Sequence, residues 1–337
     1  PPPRASTWFG EVDPGITPAQ TALAWGADHV IRLLQGAAAQ EQPFFLRWDP
    51  REPHLPNVLP EPYASLVDPA SIPPWPSFPD PLDGKPFIQR QQVRTWGLGG
   101  WTWAQWQPMV ARYLGEVALI DHQVGRILQA LDDLGLAEKT LVVYTSDHGD
   151  LCGGHGMIDK HYVMYEDVVR VPLLLRWPDR LPASRVVDTP VTAALDLAVT
   201  FCTAAGLPVP PTFVGRDLLA LAAVDAGVEP EPQPLFATYH GNQFGLYSQR
   251  MVRTPRWKYV WNATAEDELY DLAADPGEIT NLAANAAHAA ALADLRRTLA
   301  AWMAATKDPL LNQWTKHQLL DDRKYSDTSV LSGAHEP

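Results

Sequence analysis

An α/β fold is predicted, with a mostly parallel sheet flanked by helices and then a small antiparallel sheet with one covering helix. Three observations carry this expectation. Amphipathic helical periods alternate with short apolar runs of strand type over the first two thirds of the chain. After about Pro234 the texture changes to short strands separated by turn residues. The chain has 337 residues, 46% of them apolar, which is enough for one large or two unequal cores.

The elements follow in order. Thr17 and Pro18 give an N-cap and first-turn signal, and Leu23, Ala27, Val30, Ile31 and Leu34 then recur on one helical face. The apolar run PFFLRW at 43–48 reads as a short strand. Residues 68–108 form a proline- and tryptophan-rich loop carrying Trp75, Trp96, Trp101, Trp103 and Trp106. It reads either as a wrapping segment whose indoles pack onto the body of the fold or as an aromatic wall over a substrate pocket. A helix is predicted over 111–134, with Leu114, Val117, Val124, Leu128 and Leu131 inward and Gly135 suited to its C-cap. Strands follow at 140–146 and 171–176. Thr189 and Pro190 open a further helix with Val191, Leu195, Val199 and Cys202 on one face, which assigns Cys202 to the core. Helix and apolar strand in alternation imply a mostly parallel sheet.

Beyond Pro234, the runs FATYH, GLYSQRMVRT, KYVWNAT and ELYDL read as strands, and an alanine-rich helix is predicted over 285–305. The expected organisation is a catalytic domain over 1–233, an α+β subdomain over 234–307 and an extended tail over 308–337. No internal repeat is visible.

Composition excludes several classes. A net charge of −13 argues against a nucleic-acid partner, which needs clustered cations to displace counterions. A small anionic substrate is compatible with that charge only if a metal or a few local cations meet it. Two cysteines allow neither a disulfide framework nor a cysteine zinc site. No apolar run reaches membrane-span length, and the opening PPPRASTWFG has no signal-peptide pattern, so no membrane partner is expected and the chain reads as soluble, cytoplasmic or periplasmic. A homo-oligomer is compatible with the sequence. The sequon at Asn262 carries little weight without evidence of secretion.

The densest chemistry lies in TLVVYTSDHGDLCGGHGMIDK, residues 140–160, where an apolar strand stops and Asp147, His148, His155 and Lys160 follow among glycines. Ligands bind beyond the carboxyl ends of strands in open parallel sheets. Asp147 and His148 offer a hard oxygen and an imidazole nitrogen to a divalent cation, although an aspartate there can equally be an N-cap. A lysine beside a metal makes sense where a tetrahedral oxyanion bridges the two.

The segment SDHGDLCGGHGMIDKHYVMYEDVVRVPLLLRWP resembles the metal-site segment of type I sulfatases of the alkaline phosphatase superfamily. PFFLRWDPREPHLPNVLPEPY is similar to that family's Pro-His-x-Pro loop, YLGEVALIDHQVGRILQALDDLG to its following helix, and RMVRTPRWKYVWN with ELYDLAADPGEITNLA to its C-terminal subdomain. The resemblance implies an alkaline phosphatase-like fold and hydrolysis of a small sulfate ester. It implies Asp147 and His148 as metal ligands, with calcium, or else manganese, as the metal. It also implies His54 as the histidine serving the leaving oxygen and Lys160 as the lysine on the sulfate oxygens. Chemistry agrees, since a sulfate monoester leaves as an alkoxide or phenoxide unless an acid protonates it. His155 either lines the site or hydrogen-bonds the glycine turn.

The resemblance has one departure. The family's paired aspartates and its Cys/Ser-x-Pro-x-Arg motif, the source of the formylglycine nucleophile, have no counterpart here; SIPPW at Ser71 lacks the arginine. The expectation is that formylglycine and the remaining ligands belong to an N-terminal segment or a second chain that completes the site, and that this chain alone is inactive. A phosphonate monoester or phosphodiester hydrolase of the same superfamily is the alternative, and a non-catalytic anion- or partner-binding remnant the third reading.

Overall fold

A computed structural model describes residues 12–40, 43–223, 232–241, 243 and 245–321. The opening PPPRASTWFG and the tail beyond residue 321 lie outside the described residues. The chain forms two compact units: residues 1–79, 93–160 and 166–230 in the first, and 80–92, 161–165 and 231–337 in the second.

In the first unit, helix α1 (Ala22–Gln40) follows a 3-10 turn at Pro18–Gln20, where the Thr17 N–H donates to Gln20 Oε1 at 2.9 Å. It buries Leu23, Ala24, Ala27 and Leu34, close to the predicted face. Helix α2 (Phe87–Trp96) has 87–92 in the second unit and 93–96 in the first, and the long helix α3 spans Trp103–Asp133. It starts earlier than predicted because Thr102 and Gln105 form a capping box that tolerates Pro108 near the helix start. Its buried face also differs from the predicted one. It runs through Gly115, Glu116, Leu119, Ile120 and Gln123, whereas Leu114, Val117, Val124 and Leu128 are only half-buried. Leu131 is buried as predicted, and Leu114, Val124 and Leu128 pack against core clusters, so the apolar periodicity finds the flank of a stripe whose centre includes polar residues with internal partners.

Strand β1 (Val142–Thr145) pairs with β2 (Leu173–Arg176), with helix α4 (Glu166–Val169) between them. Their register is antiparallel, from Val142 opposite Arg176 to Thr145 opposite Leu173. The expected mostly parallel sheet is therefore not seen among the described strands. A parallel return needs a substantial crossover helix, and α4 is a single turn. Residues 43–48, predicted as a strand, form no regular element and belong to no ladder among the described residues, with Phe45 70% exposed. Helix α5 (Ala193–Ala204), capped at Thr192, buries Asp196, Leu197, Val199 and Thr200, while predicted core residue Leu195 is 47% exposed and Cys202 half-buried. The reason is again polar: Asp196 Oδ1 accepts from the Arg216 N–H at 2.7 Å, and the Thr200 hydroxyl oxygen accepts from the Leu218 N–H at 2.9 Å, at the start of helix α6 (Leu218–Ala223).

The second unit holds a four-stranded antiparallel sheet in the order β3 (Leu235–Gly241), β4 (Tyr247–Arg253), β5 (Trp257–Asn262), β6 (Glu268–Asp271). Helix α7 (Ala289–Ala305) lays Leu292, Leu295, Leu299 and Met303 against Val252, Tyr259, Trp261 and Leu269. Where an extended tail is expected, helix α8 (Gln313–Asp321) forms and buries Leu319 in the same core. Asn312 caps it through bonds from the Trp314 and Thr315 N–H groups. Buried charges are paired: Lys85 with Asp80, and Lys258 with Glu278 at 2.8 Å. Asn262 is wholly buried and donates to Glu266 O and Glu268 Oε1, so its sequon is closed to glycosylation in the folded state. Among the described residues no helix is long and apolar enough to cross a membrane.

Candidate active site

The chain turns sharply after β1. The Ser146 hydroxyl donates to His148 O at 2.7 Å, and Asp147 Oδ1 accepts from the His148 N–H at 3.0 Å. His148 Nδ1 lies 2.8 Å from Gly149 O. A carbonyl can only accept, so the ring proton sits on Nδ1 and the Nε2 lone pair is left for a ligand. That Nε2 is 3.6 Å from Asp147 Oδ2, and the Asp147 side chain is 85% exposed. Gly149 fixes the turn from below. Its N–H donates to Val168 O at 2.7 Å, and a Cβ there would lie 2.0 Å from Asp167 O.

Residues 150–160 then fold back on themselves. The Leu151 N–H donates to Asp159 O and the Gly153 N–H to Met157 O, both at 2.9 Å. Asp150 Oδ1 accepts from the Cys152 N–H at 2.8 Å and the Asp159 N–H at 3.3 Å. Desolvation raises the Asp150 pKa, the neighbouring Asp159 adds to this, and the two N–H bonds and Lys160 oppose it. Lys160 Nζ is 3.0 Å from Asp159 Oδ1. His155 is buried at positive φ, its N–H donating to Ser77 O at 2.8 Å. Its Nε2 is 3.8 Å from Asp167 Oδ2, which also accepts from the Ser77 hydroxyl. Cys152 is half-buried, and burial, then Asp150 and Asp167, push its thiol well above the ordinary range.

His54 stands exposed on a tight turn. Its N–H donates to Arg51 O at 3.0 Å, and its Nδ1 donates to Leu55 O at 2.8 Å. The flanks of the two loops meet in one core: Leu55, beside His54, and Ile158, before Lys160, pack with Leu98, Trp106 and Met109. Trp96, Trp101 and Trp103 border the same cluster, and Trp75 Nε1 donates to Cys152 O at 2.9 Å. Of the two readings of the proline-tryptophan loop, packing onto the body of the fold is the one these contacts match.

Sequence reasoning missed the side chains behind these loops. Glu116 and Tyr113 on α3, Asn57, Ser77 and Asp167 carry no motif of their own. The one available signal was a polar Glu116 on a helix face shared with Leu119, Ile120 and Gln123. Burial raises the Tyr113 hydroxyl, with Asp150, Cys152, Tyr144 and Glu116 adding to it. Glu116 is pushed up to about 7, mainly by burial.

The donor set fits part of a cation site. A 3.6 Å separation between carboxylate oxygen and imidazole nitrogen is shorter than two calcium–ligand bonds of about 2.4 Å laid end to end, so one ion can reach both. Among the described residues, however, no group of three or more His, Cys, Asp or Glu is gathered as a metal site. A groove of about 350 Å³ beside Ile31, Arg126 and Leu134 contains none of these residues and has no part in the chemistry.

Comparison with known proteins follows the same lines. Residues 17–207 match the sulfatase family model, and residues 153–305 match the model for the C-terminal region of N-sulphoglucosamine sulphohydrolase. The chain is 28% identical over 257 residues to the delta 4,5-hexuronate-2-O-sulfatase of Bacteroides thetaiotaomicron, covering 76% of this chain and 53% of that protein. It is 35% identical over 181 residues to arylsulfatase K of Mus musculus, covering 51% and 32%. Among solved structures it resembles the phosphonate monoester hydrolase of Agrobacterium radiobacter, with a TM-score of 0.74, 28% identity, and coverage of 86% of this chain and 62% of that one. The chain thus spans about half the length, or less, of these curated relatives. The structural likeness bears out the expected alkaline phosphatase-like fold class.

Proposed function

Because the chain belongs to the sulfatase family, we propose that it carries the metal-ligand and sulfate-facing part of a hydrolase that cleaves small anionic sulfate esters. The observation that carries the reading is the Asp147–His148 pair, with the His148 tautomer fixed by Gly149 O and Nε2 beside the carboxylate. The family implies a divalent metal; we assign it as calcium, or else manganese, held by Asp147 Oδ2 and His148 Nε2. When bound, the cation supplies positive charge against the sulfuryl oxygens.

The chain's own residues do the rest. His54 keeps Nδ1–H on Leu55 O, so a second proton is carried at Nε2 and passes from there to the leaving oxygen. Lys160, held by Asp159, neutralises charge on a sulfuryl oxygen. For His155, buried against Ser77 and Asp167, the geometry favours holding the 150–160 loop over touching substrate. Two protein donors are fewer than the six to eight ligands calcium takes, which supports a further segment or a second chain as the source of the remaining ligands and the formylglycine nucleophile.

A phosphonate monoester hydrolase is the second reading, favoured by the likeness to the Agrobacterium enzyme. Both are tested by assaying the chain together with a nucleophile-bearing segment on an aryl sulfate and an aryl phosphonate monoester. Preference for the sulfate supports the first reading and preference for the phosphonate the second. Anion binding without turnover of either would leave a non-catalytic binder.

A further inference from the structure

Asn57 is buried three residues after His54, and both hydrogens of its side-chain amide are used. One goes to Pro53 O at 2.9 Å, immediately before His54. The other goes to Glu116 Oε2 at 2.5 Å, on the middle of α3. Arg51 closes the same turn by donating to Leu55 O at 3.2 Å, the carbonyl that also receives the His54 Nδ1–H. Glu116 is only 3% exposed, on the helix face that packs against Leu59 and Ala64 through Leu119 and Ile120. A carboxyl in that setting is costly unless bonded, and the amide that bonds it also grips the His54 turn.

We propose that Glu116 is a positioning residue for His54: acting through Asn57, it holds the turn 51–57 in the shape that keeps the His54 ring proton on Nδ1 and leaves Nε2 for the substrate. Arg51 and Glu52 face the Glu116 carboxyl from the turn, and Tyr113 faces it from α3 itself. Burial keeps the group partly protonated at neutral pH, so the helix offers Asn57 an acceptor that strengthens as it ionises. Ring orientation by a remote carboxyl is a familiar device where a histidine must present one chosen nitrogen.

The inference rests on the role given to His54 above, and its test does not use activity. Nitrogen-15 shifts of the His54 ring are followed by NMR in the full chain and in Glu116→Gln, Glu116→Ala and Asn57→Ala. In the wild-type chain and in Glu116→Gln, whose amide oxygen still accepts, Nδ1–H should be the majority neutral tautomer. In the two alanine variants it should fall to a minority. Retention of the Nδ1–H majority in an alanine variant that melts cooperatively would overturn the proposal, as would its equal loss in Glu116→Gln. If Glu116→Ala fails to fold, Asn57→Ala gives the same reading from the loop side. Failure of the chain completed by a nucleophile-bearing segment to turn over either ester would count against the hydrolase reading and leave the tautomer result standing.

Discussion

With its pKa near 7 in the folded protein against about 4.5 when exposed, Glu116 takes up a proton on folding at any pH between those values. Its contribution to stability is therefore complete below about pH 4.5 and is lost as the pH rises through about 7, amounting to about 3 kcal/mol at pH 9. Glu116→Gln should remove that slope, melting above the wild-type chain at about pH 9 and close to it at about pH 5. Parallel melting curves for the two proteins across that range would refute the assignment. Lys160 calls for a paired experiment, because its buried partner Asp159 lies beside the half-buried Asp150 and removing the lysine leaves two carboxylates together. Lys160→Ala should lower turnover of the completed enzyme by about 100-fold and also lower its melting temperature. Asp159→Asn should change melting far more than turnover. Equal losses of turnover in both variants would make the pair part of the loop's architecture and not of the chemistry.

At the level of elements, the loop after β1 depends on a backbone approach that only glycine allows. Gly149→Ala places a methyl group 2.0 Å from Asp167 O, so the turn must move away from α4. The expected cost is about 1–3 kcal/mol, together with a clear loss of cation affinity, since the displaced Gly149 carbonyl is what orients His148. Thermal melting and calcium titration of the variant check both effects; unchanged affinity would show that His148 is oriented by something else. This loop was legible in the sequence because its chemistry is local: strand, aspartate, histidine and glycine are consecutive. The C-terminal sheet was legible for a similar reason, its turns falling between short apolar runs. What sits behind the site was not legible. Glu116 is 59 residues from Asn57, and Asp167 is 90 from Ser77, so no spacing rule joins them. The buried stripes of α3 and α5 were only partly legible: Leu131 and Val199 are buried as expected, but Glu116, Gln123, Asp196 and Thr200 look like solvent-facing residues until their partners are known. The pairing direction of β1 and β2 is likewise set by the modest α4 between them, which carries no strong periodic signal.

For the chain as a whole, a net charge of −13 draws cations in general, but among the described residues the proposed site offers an ion Asp147 and His148 and no third His, Cys, Asp or Glu. Calorimetry should therefore show calcium bound weakly, with a dissociation constant above about 10 μM, weaker than the sensor range. Submicromolar binding that survives Asp147→Ala would point to a different site altogether. The tryptophan cluster makes such binding visible by another route. Trp106 is wholly buried, and a Cβ added at Gly153 would lie 3.1 Å from its ring and 3.2 Å from that of Trp103, so the backbone that follows Asp147 and His148 rests directly on indoles. An ion that tightens this loop alters the surroundings of those rings, and with them the colour and yield of their emission. On the proposed cation site, the protein carries its own fluorescent indicator of occupancy, readable without label or substrate.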